Sequence, residues 1–113
     1  MTDKALLALL LDYYGAFLTE RQREFAAMSA DEDMSLAEIA ERAGVSRQAV
    51  RDSLSKATEQ LRSFEEKLRL VERDRKLRAV EEELRNALEL KDNTEFRGSV
   101  ASAAEKLSEL MGQ

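Results

Sequence analysis

The segment Leu36–Arg51 constrains the fold more than any other part of the chain. Ala40 is small enough to let two helices cross at a steep angle, and Gly44 tolerates the left-handed backbone that a tight turn needs. Ser46 follows as a residue that caps a second helix. This order predicts a helix-turn-helix module over residues 35–62, an arrangement whose second helix enters the major groove of DNA.

Apolar residues at three- and four-residue spacing predict helices along the rest of the chain. Thr19 with Gln22, and Ser35 with Glu38, fit the capping box that begins a helix. There is no proline to interrupt a helix, and the four glycines are isolated. We therefore predict an all-α fold, a helix-turn-helix bundle with a carboxyl-terminal helical extension. The predicted helices span about residues 4–16, 20–30 and 95–111, with two more between them that are capped by Ser35 and Ser46.

The apolar pattern from Val50 to Val71 forms a sustained seam, but its phase slips near Asp74. The slip predicts either a turn near Arg73–Arg75 or a bend in one long helix, with Asp74 as a candidate cap. We accordingly predict a helix-turn-helix domain over residues 1–72 and an extension over 73–113. The seam can be intramolecular core or a dimer interface, and we favour a homodimer through the extension.

Two further apolar sets belong to the predicted core. In the amino-terminal helix, Tyr13, Tyr14 and Phe17 indicate core, with a docking surface as the alternative. Gly98 either weakens the last helix or permits a close helix contact. The predicted inner face of that last helix consists of Phe96, Val100, Ala103, Ala104, Leu107 and Leu110.

The absence of histidine and cysteine excludes most catalytic and metal sites. Disulfides, thiolate nucleophiles, zinc clusters and imidazole bases are removed together, and no glycine-rich phosphate loop is present. We expect no catalysis, no cofactor and no metal. The apolar run Ala5–Leu11 is interrupted by Asp12 and is too short to span a bilayer, so we expect no membrane insertion and a cytoplasmic protein.

The charge distribution confines nucleic-acid binding to a local patch. The chain has a net charge of −5; residues 1–34 carry −4, whereas residues 35–62 carry +1. On the second helix of the module, arginine side chains can pair with guanine and a glutamine side chain can pair with adenine. Asp52 lies among these polar side chains, and its carboxylate repels phosphate. The alternative is a structural hairpin with a solvated polar face. The candidate nucleic-acid contacts are Arg47, Gln48, Arg51, Ser55 and Lys56.

A second basic run follows the module, and it is a weaker candidate for a nucleic-acid backbone contact. It consists of Lys67, Arg69, Arg73, Arg75, Lys76 and Arg78. The favoured alternative is a solvated helix supported by acid–base pairs four residues apart. Those pairs are Glu65–Arg69, Glu72–Lys76, Asp74–Arg78 and Glu81–Arg85.

Four segments in a fixed order resemble the YlxM family of small bacterial helix-turn-helix proteins. They are Tyr13–Gln22, Asp31–Leu36, Ile39–Val50 and Glu65–Leu68, and the resemblance covers about residues 5–70. The helix-turn-helix part alone is similar to region four of bacterial sigma factors.

The resemblance implies a fold related to sigma region four and a non-catalytic regulatory role in the signal recognition particle pathway. The implied partner is the particle's RNA or its GTPase. Two alternatives stay open: a transcriptional regulator that reads DNA through the second helix of the module, and a protein-binding adaptor that uses the fold as a scaffold.

Overall fold

The computed structural model describes residues 3–89 and 93–111, and every regular element in them is a helix. This confirms the predicted all-α class. The elements are α1 (Lys4–Tyr14), a short 3-10 turn (Gly15–Phe17), α2 (Glu20–Ala30), α3 (Leu36–Ala43), α4 (Arg47–Leu68), α5 (Leu70–Leu88) and α6 (Asn93–Met111).

The helices form two compact units, and the first ends at Arg69. The sequence interpretation placed the division after residue 72. In the first unit, α4 packs against α1, α2 and α3. A cluster of buried side chains joins α2, α3 and α4, so the helix-turn-helix module packs against α2, the helix that directly precedes it. The cluster consists of Phe25, Met34, Ile39, Ala40 and Val50.

The two predicted capping boxes are confirmed. Thr19 and Gln22 exchange side-chain–backbone hydrogen bonds of 3.2 and 3.0 Å at the start of α2. Ser35 and Glu38 do the same at 3.1 and 3.2 Å at the start of α3. Each box satisfies backbone N–H groups that have no acceptor inside the helix, which fixes where both helices begin.

Gly44 makes the turn between α3 and α4 in the left-handed conformation, with φ 69° and ψ 34°. Its N–H donates to the end of α3, and the Val45 N–H donates to the Ala40 carbonyl oxygen at 3.1 Å. A Cβ on Gly44 would meet no atom within 4 Å. The positive φ, and not lack of space, is therefore what favours glycine at this position.

The aromatic residues of α1 and its following turn divide between core and surface. Tyr14 is fully buried, and its hydroxyl donates to Glu65 Oε1 at 2.5 Å. Phe17 is 65% exposed, although its ring lies 5.3 Å from that of Phe64. The core interpretation is thus correct for Tyr14 and wrong for Phe17, because the helix ends at Tyr14 and the 3-10 turn carries Phe17 outward.

The break between α4 and α5 lies at Arg69, and α5 runs without interruption through Asp74. The expected turn or bend at Arg73–Arg75, and the cap at Asp74, were therefore wrong. Arg69 adopts a left-handed conformation with φ 53°, and its N–H donates to the Glu65 carbonyl oxygen at 2.8 Å. An arginine in that conformation gives no sequence signal, because glycine and asparagine are the residues that usually mark such helix ends.

The second unit is a hairpin of α5 and α6. Val80, Ala87 and Ala103 are buried, and Lys106 Nζ donates to Glu83 Oε2 at 2.9 Å. The Lys106 ammonium, followed by the Ser102 hydroxyl, holds the pKa of Glu83 below its usual value.

The prediction for the inner face of α6 was only partly correct. Ala103 is buried, whereas Val100 and Ala104 are exposed. Nothing lies within 4 Å of a Cβ placed on Gly98, so the alternative of a close contact there was wrong.

Gly44→Ala and Gly98→Ala should change stability in opposite directions. The first forces a Cβ into the left-handed region and should cost about 1–2 kcal/mol. The second replaces a helical glycine in open space and should stabilise by up to about 1 kcal/mol. Urea denaturation followed by circular dichroism measures both. Equal effects of the two variants would contradict the assigned turn.

The carboxyl group of Glu38 should make the stability of the folded protein depend on pH. The Ser35 N–H is the main group that lowers the pKa of the Glu38 carboxyl. A lowered folded-state pKa stabilises the protein above the unfolded-state pKa, and this stabilisation is lost as pH falls through the folded-state pKa. Between about pH 5 and pH 3, wild type should lose more stability than Glu38→Gln, which keeps the acceptor but does not titrate. Equal losses in urea denaturation would contradict this.

Candidate nucleic-acid interface

The amino-terminal end of α4 is built to point outward from the module. Ser46 accepts the Ala49 N–H at 3.0 Å, which confirms the predicted cap. Val50 is fully buried in the core and fixes the rotation of the helix about its axis. Because each residue turns an α-helix by about 100°, this rotation leaves the side opposite Val50 facing solvent.

All five candidate contacts on α4 are exposed: Arg47, Gln48, Arg51, Ser55 and Lys56. By helical geometry the first four lie within about 100° of one another. Lys56 lies about 100° beyond Ser55. The structure therefore brings four of the five residues to one face, which we call the α4 face, and leaves Lys56 at its edge.

The cations of the α4 face are available to a ligand. In the part of the chain that the structure describes, neither Arg47 nor Arg51 takes part in an ion pair. Guanidinium groups in this state can form bidentate hydrogen bonds with phosphate or with guanine.

Asp52 modifies the α4 face as the sequence suggested. It is exposed, and its Oδ1 accepts a hydrogen bond from Gln48 Nε2 at 2.9 Å. Reading of adenine by Gln48 requires the same amide nitrogen, so the Asp52 contact competes with base recognition. The Asp52 carboxylate also adds a negative charge where phosphate would approach.

A groove of about 780 Å³ runs beside the α4 face, between α4 and the helices α1–α3. Arg51 and Ser55 line it together with Arg62 and Lys4. Sequence analysis missed Arg62, which lies eleven residues after Arg51 and therefore on nearly the same side of α4. That spacing was the available signal. Glu59 and Glu66 also line the groove, so its charge is mixed.

The second basic run divides between the two units. Lys67 and Arg69 belong to the first unit, whereas Arg73, Arg75, Lys76 and Arg78 lie on α5. On α5, Arg73 and Lys76 lie on one side of the helix. Arg75 and Arg78 lie roughly on the opposite side.

Acid–base pairs on α5 match the solvated-helix alternative for the second basic run. Lys76 pairs with Glu72 at 3.6 Å, and Arg85 pairs with Glu81 at 2.8 Å. Both are exposed pairs with residues four apart, of the kind that supports a helix in solvent and contributes little to stability.

The described residues, 3–89 and 93–111, include neither a metal-binding group nor a membrane-spanning helix. No group of three or more side chains there is arranged to hold a metal ion. None of the helices described has the length and apolar character that crossing a membrane requires.

Comparison with known proteins decides the family. A model for helix-turn-helix proteins of the YlxM / p13-like type, the family UPF0122, matches residues 1–99. The chain belongs to the UPF0122 family. This confirms the resemblance to YlxM proteins, and the match extends beyond the segments that carried it, into α6. A helix-turn-helix family points to regulation through nucleic-acid binding, not to catalysis.

Individual UPF0122 proteins match over most of their length. The one from Symbiobacterium thermophilum is 43% identical over 103 residues, which cover 90% of this chain and 95% of that protein. The one from Clostridium perfringens strain 13 is 38% identical over 112 residues, 98% of each chain. A relative from Desulforamulus reducens is 56% identical over 63 residues, 56% of this chain and 54% of that protein.

Asp52→Asn should tighten nucleic-acid binding, because it removes a negative charge from the α4 face and keeps an acceptor for Gln48. At low salt we expect a gain of about threefold to tenfold in affinity for duplex DNA or hairpin RNA, measured by fluorescence anisotropy. Asp31→Asn is the matched control, since it removes the same charge from the exposed turn after α2. An equal gain in both variants would show that only the net charge matters.

Proposed function

We propose that this UPF0122 protein is a non-catalytic regulator that binds nucleic acid through the α4 face. One observation carries the proposal. Arg47 and Arg51 are exposed without ion partners in the described residues, on the second helix of a helix-turn-helix module. The face is locally basic in a chain whose net charge is −5, so it is the part of the first unit best suited to a phosphate backbone.

The proposed setting is the signal recognition particle pathway, with the cytoplasm as the compartment. Support for it comes from the resemblance of the chain to YlxM proteins. The particle contains RNA, whose backbone offers phosphates to a pair of arginines. We propose the particle's RNA as the ligand of the α4 face. Direct binding to the particle's GTPase is the competing form of the same proposal.

DNA is the second candidate ligand, and the positions of Arg51 and Gln48 on one helix favour it. Both side chains can read base edges when such a helix lies in the major groove. The hydrogen bond from Gln48 to Asp52 counts against sequence-specific reading in the unbound state. A selection from random duplexes that returns an enriched motif would support DNA over RNA.

Arg51→Ala should weaken binding to the particle's RNA by about tenfold and reduce the slope of log affinity against log salt by about one. Arg42→Ala is the matched control: it removes the same charge from an exposed α3 arginine whose partner is Glu32 at 3.3 Å. We expect Arg42→Ala to bind as wild type does, because exposed ion pairs contribute little. Anisotropy titrations from about 50 to 200 mM salt measure both variants.

Several outcomes would contradict the proposal. Equal weakening by Arg51→Ala and Arg42→Ala would remove the α4 face as the contact. Absence of binding to RNA and duplex DNA at micromolar concentrations would remove nucleic acid altogether. If the protein then altered the GTP hydrolysis rate of the particle's purified GTPase, the contact would be with protein. Binding to a partner protein without any change in the GTP hydrolysis rate would instead favour the adaptor alternative.

A further inference from the structure

The hairpin of α5 and α6 has one polar side and one apolar side. The Glu83–Lys106 ion pair marks the polar side. On α5, Leu77, Leu84 and Leu88 lie within about 40° of one another and at least about 100° from Glu83. On α6, Val100 and Met111 lie within about 20° of one another and at least about 120° from Lys106. Because buried Val80 and Ala103 orient the two helices, and the ion pair lies to one side of them, the five apolar residues share the opposite side.

We call these five residues the apolar face, and much of it is open to solvent. Leu88 is 76% exposed and Met111 is 72% exposed. Leu84 and Val100, near the middle of the hairpin, are 38% and 36% exposed. Glu81 lies on this side of α5, about 20° from Leu88, and it is paired with Arg85 at 2.8 Å. Burial of such apolar side chains against a second surface lowers the free energy, because it removes them from water.

The hairpin buries too little to be stable by its own core. Among the described residues of the hairpin, only Val71, Val80, Ala87 and Ala103 are buried. Units of about 40 residues generally need a disulfide, a metal or oligomerisation. The chain has no cysteine, and the described residues hold no metal-binding group. Oligomerisation is the means of stabilisation that remains from these three.

We propose that the apolar face is covered by the same face of a second copy, so that two hairpins form a four-helix bundle. Leu70, Leu77 and Leu84 recur every seven residues, which is the spacing of a seam between packed helices. Two-fold pairing of one face with itself is the commonest arrangement of homodimers, and two helical hairpins pack readily into such a bundle.

The dimensions and charges of the apolar face suit this partner. Helices of 19 residues are about 28 Å long, and a two-helix face is about 20 Å wide. Two such faces bury roughly 1,100 Å² in total, which reaches the area of about 1,000 Å² expected for a specific interface. Glu81, which lies beside Leu88 on this side of α5, is paired with Arg85 of its own helix, so its charge is balanced within the same chain.

The experiment measures the mass of the full chain by sedimentation equilibrium from about 1 to 100 µM, without nucleic acid, and is therefore independent of the proposed function. Wild type should reach twice 12.8 kDa. Leu88→Glu with Met111→Glu should raise the dissociation constant by about 100-fold or more, because glutamates would face each other across the two-fold axis. Asn86→Glu with Ala101→Glu adds the same charge at exposed positions off the face and should stay dimeric.

Hydrogen exchange supplies a second readout that needs no substitution. If the copy stabilises the hairpin, amide protection in α5 and α6 falls when wild type is diluted below its dissociation constant. Three results would overturn the proposal: a monomeric mass at every concentration, the same dissociation constant for the two double variants, or hairpin protection that does not change on dilution.

Discussion

The fold of the first unit depends on one backbone conformation, the left-handed turn at Gly44. This turn ends α3 and lets α4 start after Ser46 at an angle that buries Val50 beside Ile39. A buried Val50 sets the rotation of α4, and that rotation places Arg47 and Arg51 in solvent. The candidate interface therefore follows from a single glycine and the small core around it, and no separate structure is needed to present the arginines.

Electrostatics explains how an acidic chain can hold a nucleic-acid site. Away from the α4 face, some opposite charges form ion pairs: Lys4 donates to Asp33, and Arg42 pairs with Glu32. These ion pairs join the acidic turn after α2 to neighbouring helices. They do not involve Arg47 or Arg51, the two arginines of the α4 face. The Asp52 carboxylate beside them keeps the face only weakly basic. Such a balance favours a ligand recognised by shape as well as by charge.

The sequence predicted the parts of the fold that local chemistry determines. Helix starts at Thr19, Ser35 and Ser46 were predictable because their caps are formed by residues three positions apart. The break at Arg69 was not, because a left-handed arginine depends on tertiary packing and has no local signal. For the same reason the sequence could not separate buried Tyr14 from exposed Phe17, or show that Arg62 lines the groove beside Arg51.

Chemical-shift mapping by NMR is the most direct test of whether RNA binds to the α4 face. The labelled full chain is titrated with the signal recognition particle's RNA, and the backbone amides and arginine side chains are followed. The largest shifts should fall on residues 46–55, with the Arg47 and Arg51 guanidinium groups among them. Shifts confined to α5 and α6, or to the surface around Phe17, would contradict binding at the α4 face and assign the contact to another part of the molecule.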